Sequence, residues 1–346
     1  MLYLYVTLSL VCNVIILYFS DTLYDIDAKY NEKISHAYAS STTRNFMYQW
    51  SQFIEFCGKH KLQMYPPVPQ NVARFLTMYS GKVNSFNTVN NMLSSIRTFY
   101  RLSGFSLNVE SPEIDLFVRA CKRTMSSDSK PKNPIEVGHL LLIRKCVNFQ
   151  NPTECAFFTA LLVQFFGCLR VSNLLPVSAS DLSSNKFLRR KDITMSQGNL
   201  LLTLQWSKTL QNSDNIFVIP IAGCSGSILD PYSHYASFQL AFPVPISSPS
   251  FSYCINGQLH VLTRYQYINY LKYFLERIGV DSHNFSSHSI RRGSASLMYQ
   301  SQVPTHLIKL HGTWRSSAYQ KYLEFTYEQK LTPTVKMHQR INQLLK

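Results

Sequence analysis

Apolar residues recur at helical spacing through the first third of the sequence. One amphipathic helix is predicted from Ser41 and is expected to close at Gly58. A second is predicted after Pro69, a third before Gly104 and a fourth from Pro112. The apolar stripe of the first helix consists of Phe46, Trp50, Phe53, Ile54 and Cys57. Four short helices in succession predict a small helical bundle.

A polar, basic and proline-containing segment, SSDSKPKNP at residues 126–134, predicts a linker between two domains. We assign the helical bundle to residues 31–125 and a second domain to residues 135–346. The second domain opens with a helical pattern. Two β-rich runs follow, Asn199 to Leu204 and Ile216 to Ile221, and the polar turn between them predicts a hairpin. The predicted fold class is mainly α with a small β-sheet (α+β).

The first twenty residues are almost wholly apolar, and their length and composition alone allow a signal-peptide core or a membrane anchor. Other features disagree with that interpretation. No Lys or Arg precedes the run, Asn13 interrupts it, and no small-residue cleavage motif stands before Asp21. We therefore interpret residues 1–30 as a mispredicted or non-native N-terminus and do not expect a membrane protein.

The charge balance is strongly basic. The 346 residues include 34 Lys and Arg against 19 Asp and Glu, a net charge of +15, although only 15% of residues are charged. A pI near 9.4 indicates a polyanionic partner, either nucleic acid or an anionic membrane surface. Because 45% of residues are hydrophobic and 13% are aromatic, the composition excludes a disordered chain.

The eight cysteines form neither a CxxC pair nor a His/Cys cluster at zinc-finger spacing. A structural metal and a disulfide framework are therefore not expected. Cys57, Cys121 and Cys168 fall on apolar faces of predicted helices, which indicates buried free thiols in a reducing compartment. No cofactor is predicted.

Four motifs are chemically suggestive together, although each has an ordinary structural interpretation alone. Arg170 follows an apolar helix in GCLRVSNLL, where a lone arginine is usually a solvated surface residue. Lys208 lies in the predicted hairpin in WSKT, where a lysine usually protects a strand edge. His288 and Arg291 open a helix in SHSIRRG. Three residues apart, they share one face beside the positive helix N-terminus.

The fourth motif, LIKLHGTW, contains His311 and Trp314 and precedes a helical segment with Tyr319 and Tyr322. With 21 tyrosines in the chain, an interfacial aromatic is the ordinary interpretation of either one. Together, however, the four motifs supply the groups that metal-free phosphodiester cleavage requires. Two guanidiniums can clamp nonbridging oxygens, a histidine and a lysine can transfer protons, and a tyrosine can attack phosphorus.

The segments FFGCLRVSNLLP, QWSKTLQ, HSIRRGSAS and LIKLHGTWRSSAYQKYLEF together resemble the catalytic domain of the tyrosine recombinases, the phage integrase family. The helical segment before them resembles the SAM-like core-binding domain of that family. Within the family, the sequence is most similar to recombinases of eukaryotic mobile elements of the DIRS, Ngaro and Crypton types. The combination of segments is specific, whereas HxxR alone is not.

The resemblance implies a role for each motif. Arg170 matches the first catalytic arginine, and Lys208 matches the hairpin lysine. His288 and Arg291 match the HxxR pair. Trp314 matches the H/W position, a hydrogen-bonding or packing residue beside the scissile phosphate. The resemblance implies no metal and no cofactor at this site.

The nucleophile implied by the resemblance is Tyr322, ten residues past Gly312, which is the usual spacing in the family; Tyr319 is the alternative. His311 is a further candidate for proton transfer, although its position favours helix packing. Asn173 departs from the family pattern, because many bacterial members carry a glutamate there. Trp314 also sits one place later than the common histidine, counted from the glycine.

The resemblance implies a site-specific DNA recombinase or integrase that integrates a mobile element through a 3′-phosphotyrosyl intermediate. The implied partners are double-stranded DNA and further copies of the chain in a homotetramer, with no small-molecule substrate, and the implied location is the nucleus. The main alternative is a catalytically silent, domesticated DNA-binding protein. A type IB topoisomerase shares the chemistry, and a membrane-associated basic protein is a third alternative.

Overall fold

A computed structural model describes residues 37–125, 132–206, 216–323 and 327–344. The chain falls into two compact units, divided between Pro131 and Lys132. The apolar N-terminal run lies outside the described residues. Among the residues that are described, no helix combines the length and the apolar character needed to cross a membrane.

The first unit contains the four predicted helices, which are α1 (Ser40–His60), α2 (Pro69–Ser80), α3 (Phe86–Leu102) and α4 (Pro112–Thr124). The expected end of α1 at Gly58 is wrong, because the helix continues for one further half-turn. It ends where Lys61 adopts a left-handed conformation with φ of 52°. The backbone N–H of Lys61 then donates to the carbonyls of Cys57 and Gly58, which satisfies the last turn without glycine.

The core of the first unit is aromatic and centres on Trp50. This side chain is 2% exposed. It stacks on Phe99 of α3, with ring centroids 4.0 Å apart, and meets Tyr100 edge-on at 5.3 Å. Helices α1 and α3 are therefore held together by buried rings rather than by surface charge.

Trp50→Ala is expected to destabilise the first unit by about 3–5 kcal/mol, because it removes a large buried ring and leaves a cavity. The measurement is denaturant-dependent hydrogen exchange of peptides within residues 40–124 of the full chain. Tyr48→Ala is the matched control, since Tyr48 lies on the same helix and is 65% exposed; its expected effect is within about 0.5 kcal/mol. Equal losses in the two variants would contradict the packing described.

The second unit is mainly helical with a small sheet, as the sequence predicted. Short 3₁₀ turns lie at Arg190–Asp192, Ser282–Asn284 and Ser317–Tyr322. Its helices are α5 (Val137–Cys146), α6 (Pro152–Phe166), α7 (Val171–Leu174), α8 (Pro231–Ala241), α9 (Arg264–Arg277), α10 (Ser287–Gln300), α11 (Thr305–His311) and α12 (Tyr327–Leu344).

The sheet contains β1 (Ile193–Ser196), β2 (Asn199–Leu204) and β3 (Phe217–Ile221), antiparallel in that order. The predicted hairpin is confirmed as the β2–β3 pair. Strand β1 and a second hairpin, β4 (Ser252–Ile255) with β5 (Gln258–Val261), were not predicted.

Helix α6 forms the centre of the second unit and is buried on nearly every side. Asn151 caps its start, and its side chain accepts hydrogen bonds from the backbone N–H groups of Thr153 and Glu154. Phe157 stacks on Phe274 of α9 at 5.3 Å. Helix α6 is therefore held firmly by the surrounding core. The turn that carries Arg170 begins at its C-terminal end.

The segment that enters the second unit packs against α10. The side-chain amine of Lys132 donates to the His283 carbonyl at 2.6 Å, and the Ile135 N–H donates to the Ser289 carbonyl at 2.9 Å. A Cβ atom at Gly293 would lie 1.8 Å from the carbonyl oxygen of Ile135. Glycine at position 293 is therefore what allows this close approach. Lys132, Asn133 and Pro134, the last residues of the predicted linker, belong to the second unit.

Candidate active site

Arg170 lies in a tight turn after α6. Gly167 ends the helix, and a Cβ atom there would meet the Val163 carbonyl oxygen at 2.9 Å. Cys168 follows in a left-handed conformation with φ of 47°, which is uncommon for a residue other than glycine. Arg170, half-buried, then precedes the short helix α7. The local geometry thus places the arginine between the turn at Cys168 and the start of α7.

His288 and Arg291 are the second and fifth residues of α10. The hydroxyl of Ser286 accepts a hydrogen bond from the backbone N–H of His288 and caps the helix. The two side chains differ in burial, because His288 is exposed and Arg291 is 2% exposed. Spacing along the helix could not predict this difference, since tertiary neighbours produce it.

The Arg291 guanidinium connects three elements of the second unit. One terminal nitrogen donates to the Cys168 carbonyl oxygen at 2.6 Å, and the other donates to the Gly312 carbonyl oxygen. The guanidinium carbon lies 4.0 Å from the centroid of the Trp314 ring, in cation–π geometry. The arginine therefore ties the Arg170 turn and the end of α11 to α10. We call Arg291, Cys168, Gly312 and Trp314 the Arg291 cluster.

Within the Arg291 cluster, Trp314 covers the guanidinium. Its side chain is 8% exposed, and a Cβ atom at Gly312 would lie 1.7 Å from the Trp314 ring. Tyr319 is also 8% exposed, and its ring centroid lies 6.0 Å from that of Trp314. Glycine at position 312 thus gives the indole room to cover the arginine, and Tyr319 packs beside it.

His311 faces the helix packing, as its position favoured. Its Nε2 lies 2.7 Å from the carbonyl oxygen of Phe166 at the end of α6. Because a carbonyl only accepts, Nε2 carries the proton. His311 therefore connects α11 to α6 beside the Arg170 turn.

The side chains of two predicted site residues lie outside the described part of the chain. Lys208 belongs to residues 207–215, which lie outside the described residues. The backbone of Tyr322 ends the 3₁₀ turn Ser317–Tyr322, but its side chain lies outside the described part of the chain. The structure places Trp314 against the Arg291 guanidinium, which also donates to the carbonyl of Cys168, two residues before Arg170. His288 lies at the start of the same helix as Arg291.

Asn173 connects α7 to the end of β2. Its side chain is 2% exposed, and Nδ2 donates to the Trp206 carbonyl at 2.5 Å. The Lys186 amine lies 5.4 Å from the centroid of the Trp206 ring. An amide therefore makes a contact that the family's glutamate, lacking an N–H, cannot make in the same way.

Sequence reasoning missed two supporting residues. Arg264 of α9 donates from Nε to the Leu175 carbonyl at 2.9 Å and holds the segment after α7; burial lowers the pKa of its guanidinium. Gln164 of α6 is fully buried and donates to the Leu169 carbonyl at 3.1 Å. The available signal for Gln164 was a lone amide inside an apolar helix, where a polar group requires partners.

Two arginines act electrostatically on one buried thiol. Burial raises the pKa of Cys168 above its ordinary value. The positive charge of Arg291, a hydrogen bond with Ser294 and the charge of Arg170 oppose that rise. Both guanidinium charges therefore act on the same turn of the chain.

Because its pKa is raised and its side chain is buried, the Cys168 thiol is expected to stay protonated and unreactive at neutral pH. Iodoacetamide applied to the folded protein should modify the exposed Cys224 and Cys254 and should modify Cys168 only after denaturation. Peptide mass spectrometry gives the result. Modification of Cys168 in the folded protein at the rate of Cys224 would contradict this environment.

An integrase/recombinase XerD homolog from Selenomonas ruminantium is 21% identical over 299 residues, covering 80% of this chain and 79% of that protein. The XerH site-specific recombinase bound to palindromic difH substrate, a post-cleavage complex, has a TM-score of 0.59 at 13% identity, covering 89% of this chain and 83% of that chain. The Tn1549 transposon integrase in complex with circular intermediate DNA has a TM-score of 0.55 at 12% identity, covering 88% and 97% respectively. No protein-family model matches the sequence.

These similarities extend across both units and establish the fold. The chain has the tyrosine recombinase fold that its motifs predicted, mainly helical with a small sheet. The attribution to elements of the DIRS, Ngaro or Crypton type stays a prediction.

Proposed function

We propose that this chain, which has the tyrosine recombinase fold, breaks and rejoins DNA strands as a site-specific recombinase or integrase. The observation that carries the proposal is the Arg291 cluster, in which an HxxR arginine is bonded to the turn that carries a second arginine. Two guanidinium charges at one turn are suited to a pentacoordinate phosphate, whose nonbridging oxygens carry the developing charge. The XerD homolog and the two recombinase structures support the same activity.

In the proposed reaction, the Tyr322 hydroxyl oxygen attacks the scissile phosphorus. The new O–P bond forms as the bond between phosphorus and the 5′ oxygen breaks. The tyrosine proton passes to His288, and Lys208 donates a proton to the leaving 5′ oxygen. The products are a 3′-phosphotyrosyl enzyme and a free 5′-hydroxyl, and attack by the 5′-hydroxyl of a partner strand reverses the step.

The remaining residues would stabilise the transition state. Arg170 and Arg291 would bind the nonbridging oxygens, and Trp314 would hold Arg291 in place at the H/W position. The spacing of ten residues from Gly312 supports Tyr322 rather than Tyr319 as the nucleophile. Since two arginines supply the positive charge, this mechanism includes no metal and no cofactor.

Double-stranded DNA is the proposed partner of both units. Residues 31–125 would act as the core-binding domain and residues 135–346 as the catalytic domain. The net charge of +15 supports binding through phosphate contacts. Both solved recombinase structures named above contain DNA, which supports the same partner.

Because counterion release drives phosphate binding, affinity for duplex DNA is expected to fall by about 10³-fold or more between 50 and 200 mM salt. Fluorescence anisotropy with a labelled duplex measures the slope of log affinity against log salt concentration. An affinity that stays constant across this range would contradict a phosphate-based contact.

The proposed biological role is integration of a mobile element by a homotetramer on synapsed DNA, in the nucleus. Similarity to a transposon integrase supports the mobile-element role. Helix α12 exposes apolar side chains at Leu331, Val335 and Met337, which supports its use in contacts between copies of the chain. The nuclear location rests on the resemblance to eukaryotic elements.

The experiment that tests the proposal is incubation of the full chain with nicked, end-labelled duplexes taken from the termini of the element that encodes it. The short strand between the cleavage site and the nick dissociates after cleavage. Because its 5′-hydroxyl is then unavailable to reverse the reaction, the covalent intermediate accumulates. The expected result is a protein–DNA band that survives denaturing electrophoresis. Tight binding of the same duplexes without such a band would favour the catalytically silent DNA-binding protein.

A further inference from the structure

Gln164 is a lone amide in the buried helix α6. Its side chain has no exposed surface. Nε2 donates to the Leu169 carbonyl at 3.1 Å and to the Ser287 carbonyl at 3.4 Å. Oε1 accepts from the Tyr267 hydroxyl at 2.6 Å. One amide is thus bonded to three separate segments of the second unit.

The two carbonyl acceptors lie next to predicted catalytic residues. Leu169 directly precedes Arg170, and Ser287 directly precedes His288. Gln164 also holds Leu169 through the main chain, because the Leu169 N–H donates to the Gln164 carbonyl at 3.0 Å. The Arg170 turn and the start of α10 therefore share one buried attachment point.

Tyr267 fixes the orientation of the amide. Burial raises the pKa of Tyr267 well above its ordinary value, so its hydroxyl stays protonated and donates. An O–H donor selects the amide oxygen, which directs the amide nitrogen toward the two carbonyls. With the oxygen oriented this way, both acceptors are satisfied in an environment where unpaired polar groups are costly.

We propose that Gln164 is a positioning residue that sets the spacing between Arg170 and His288. The expected effect on catalysis rests on the proposed function, whereas the hydrogen bonds of Gln164 do not depend on it. An apolar side chain of similar length would fill the same space. The amide is therefore needed for its hydrogen bonds to the carbonyls of Leu169 and Ser287. Displacement of a catalytic group by about 1 Å can reduce the rate by about 10²-fold.

Gln164→Met tests the proposal, because methionine keeps the length and removes the donors. The covalent adduct is followed in a single turnover, on the duplex that the wild-type chain cleaves. This measurement gives the rate constant of adduct formation and, separately, the amplitude, which is the fraction of protein that reacts. We expect the rate constant to fall by about 10²-fold with the amplitude and the DNA affinity retained. A purely structural role would lower the amplitude, through loss of folded protein, and leave the rate constant unchanged; that result would overturn the proposal.

Two companion variants sharpen the comparison. Thr159→Val is the matched control, since Thr159 is equally buried five residues earlier in α6; its rate constant should match that of the wild type. Tyr267→Phe removes only the orienting donor and should give a smaller decrease in the rate constant than Gln164→Met. A larger decrease in Thr159→Val than in Gln164→Met would also overturn the proposal.

Hydrogen exchange of the DNA-free protein tests the attachment independently of activity. In Gln164→Met, peptides covering residues 167–171 and 286–291 should exchange about tenfold faster than in the wild type, and Thr159→Val should not change them. Unchanged exchange in either peptide would refute the attachment. If the wild-type chain forms no adduct, the proposed function fails while the exchange result still decides the role of Gln164.

Discussion

Arg291→Ala is expected to reduce covalent adduct formation by about 10³-fold and to destabilise the second unit by about 3–5 kcal/mol. The loss of stability follows from two buried carbonyls, Cys168 and Gly312, which lose their charged donor. Trp314 also loses the guanidinium beneath its ring. The loss of activity follows from removal of one of the two arginines proposed to bind the phosphate.

Arg277→Ala is the matched control for this prediction. Arg277 donates to the Cys146 carbonyl at 3.2 Å, but this contact is exposed. Both substitutions therefore remove an arginine that donates to a backbone carbonyl, but Arg277 makes one exposed bond whereas Arg291 makes two buried bonds and packs against Trp314. Denaturant unfolding of the second unit should show a cost below about 1 kcal/mol for Arg277→Ala. Near-wild-type stability of Arg291→Ala would refute the account of the Arg291 cluster.

Arg291→Lys separates charge from geometry. Lysine keeps the positive charge but lacks the planar fork that reaches two carbonyls at once. The second unit should therefore remain destabilised, by less than in Arg291→Ala, and adduct formation should stay impaired. Full activity in Arg291→Lys would show that charge alone is sufficient at this position.

Much of the helical architecture was predictable from local pattern. The stripe that contains Trp50 predicted α1 because its apolar positions repeat at the helical period. The continuous apolar run that contains Phe157 predicted α6, which is buried on nearly every side. The turns of the β1–β2 and β4–β5 hairpins were not predicted. The second of these turns contains an Asn-Gly pair. Asn256 and Gly257 have φ of 50° and 76°, and an Asn-Gly pair is a strong local signal for this kind of turn. That signal was present in the sequence.

The site could be predicted only in part, for a physical reason. Motifs identify which residue types occur and in which order, but the environment of Arg291 depends on Cys168, which lies 123 residues earlier. Likewise, the bond between Gln164 and Ser287 joins positions 123 residues apart. Burial of Arg291 and exposure of His288, three residues earlier on the same helix, arise from such long-range packing. A single sequence does not specify these contacts.

Tyr322→Phe is expected to abolish the covalent adduct, because phenylalanine has no oxygen to attack phosphorus. Tyr319→Phe should retain the adduct, since it keeps the ring that packs on Trp314. Neither substitution should alter duplex affinity by more than about 3-fold, because neither removes positive charge. The pair is closely matched, as both remove one hydroxyl from the same segment.

The most direct test of the account is therefore peptide mapping of the trapped protein–DNA adduct, carried out beside electrophoresis of the two variants. We expect a nucleotide-bearing peptide that contains Tyr322 and a band lost only in Tyr322→Phe. A band lost only in Tyr319→Phe, with the nucleotide on Tyr319, would contradict the assignment of the nucleophile. The absence of any adduct, on duplexes that the wild-type chain binds, would contradict the proposed enzyme.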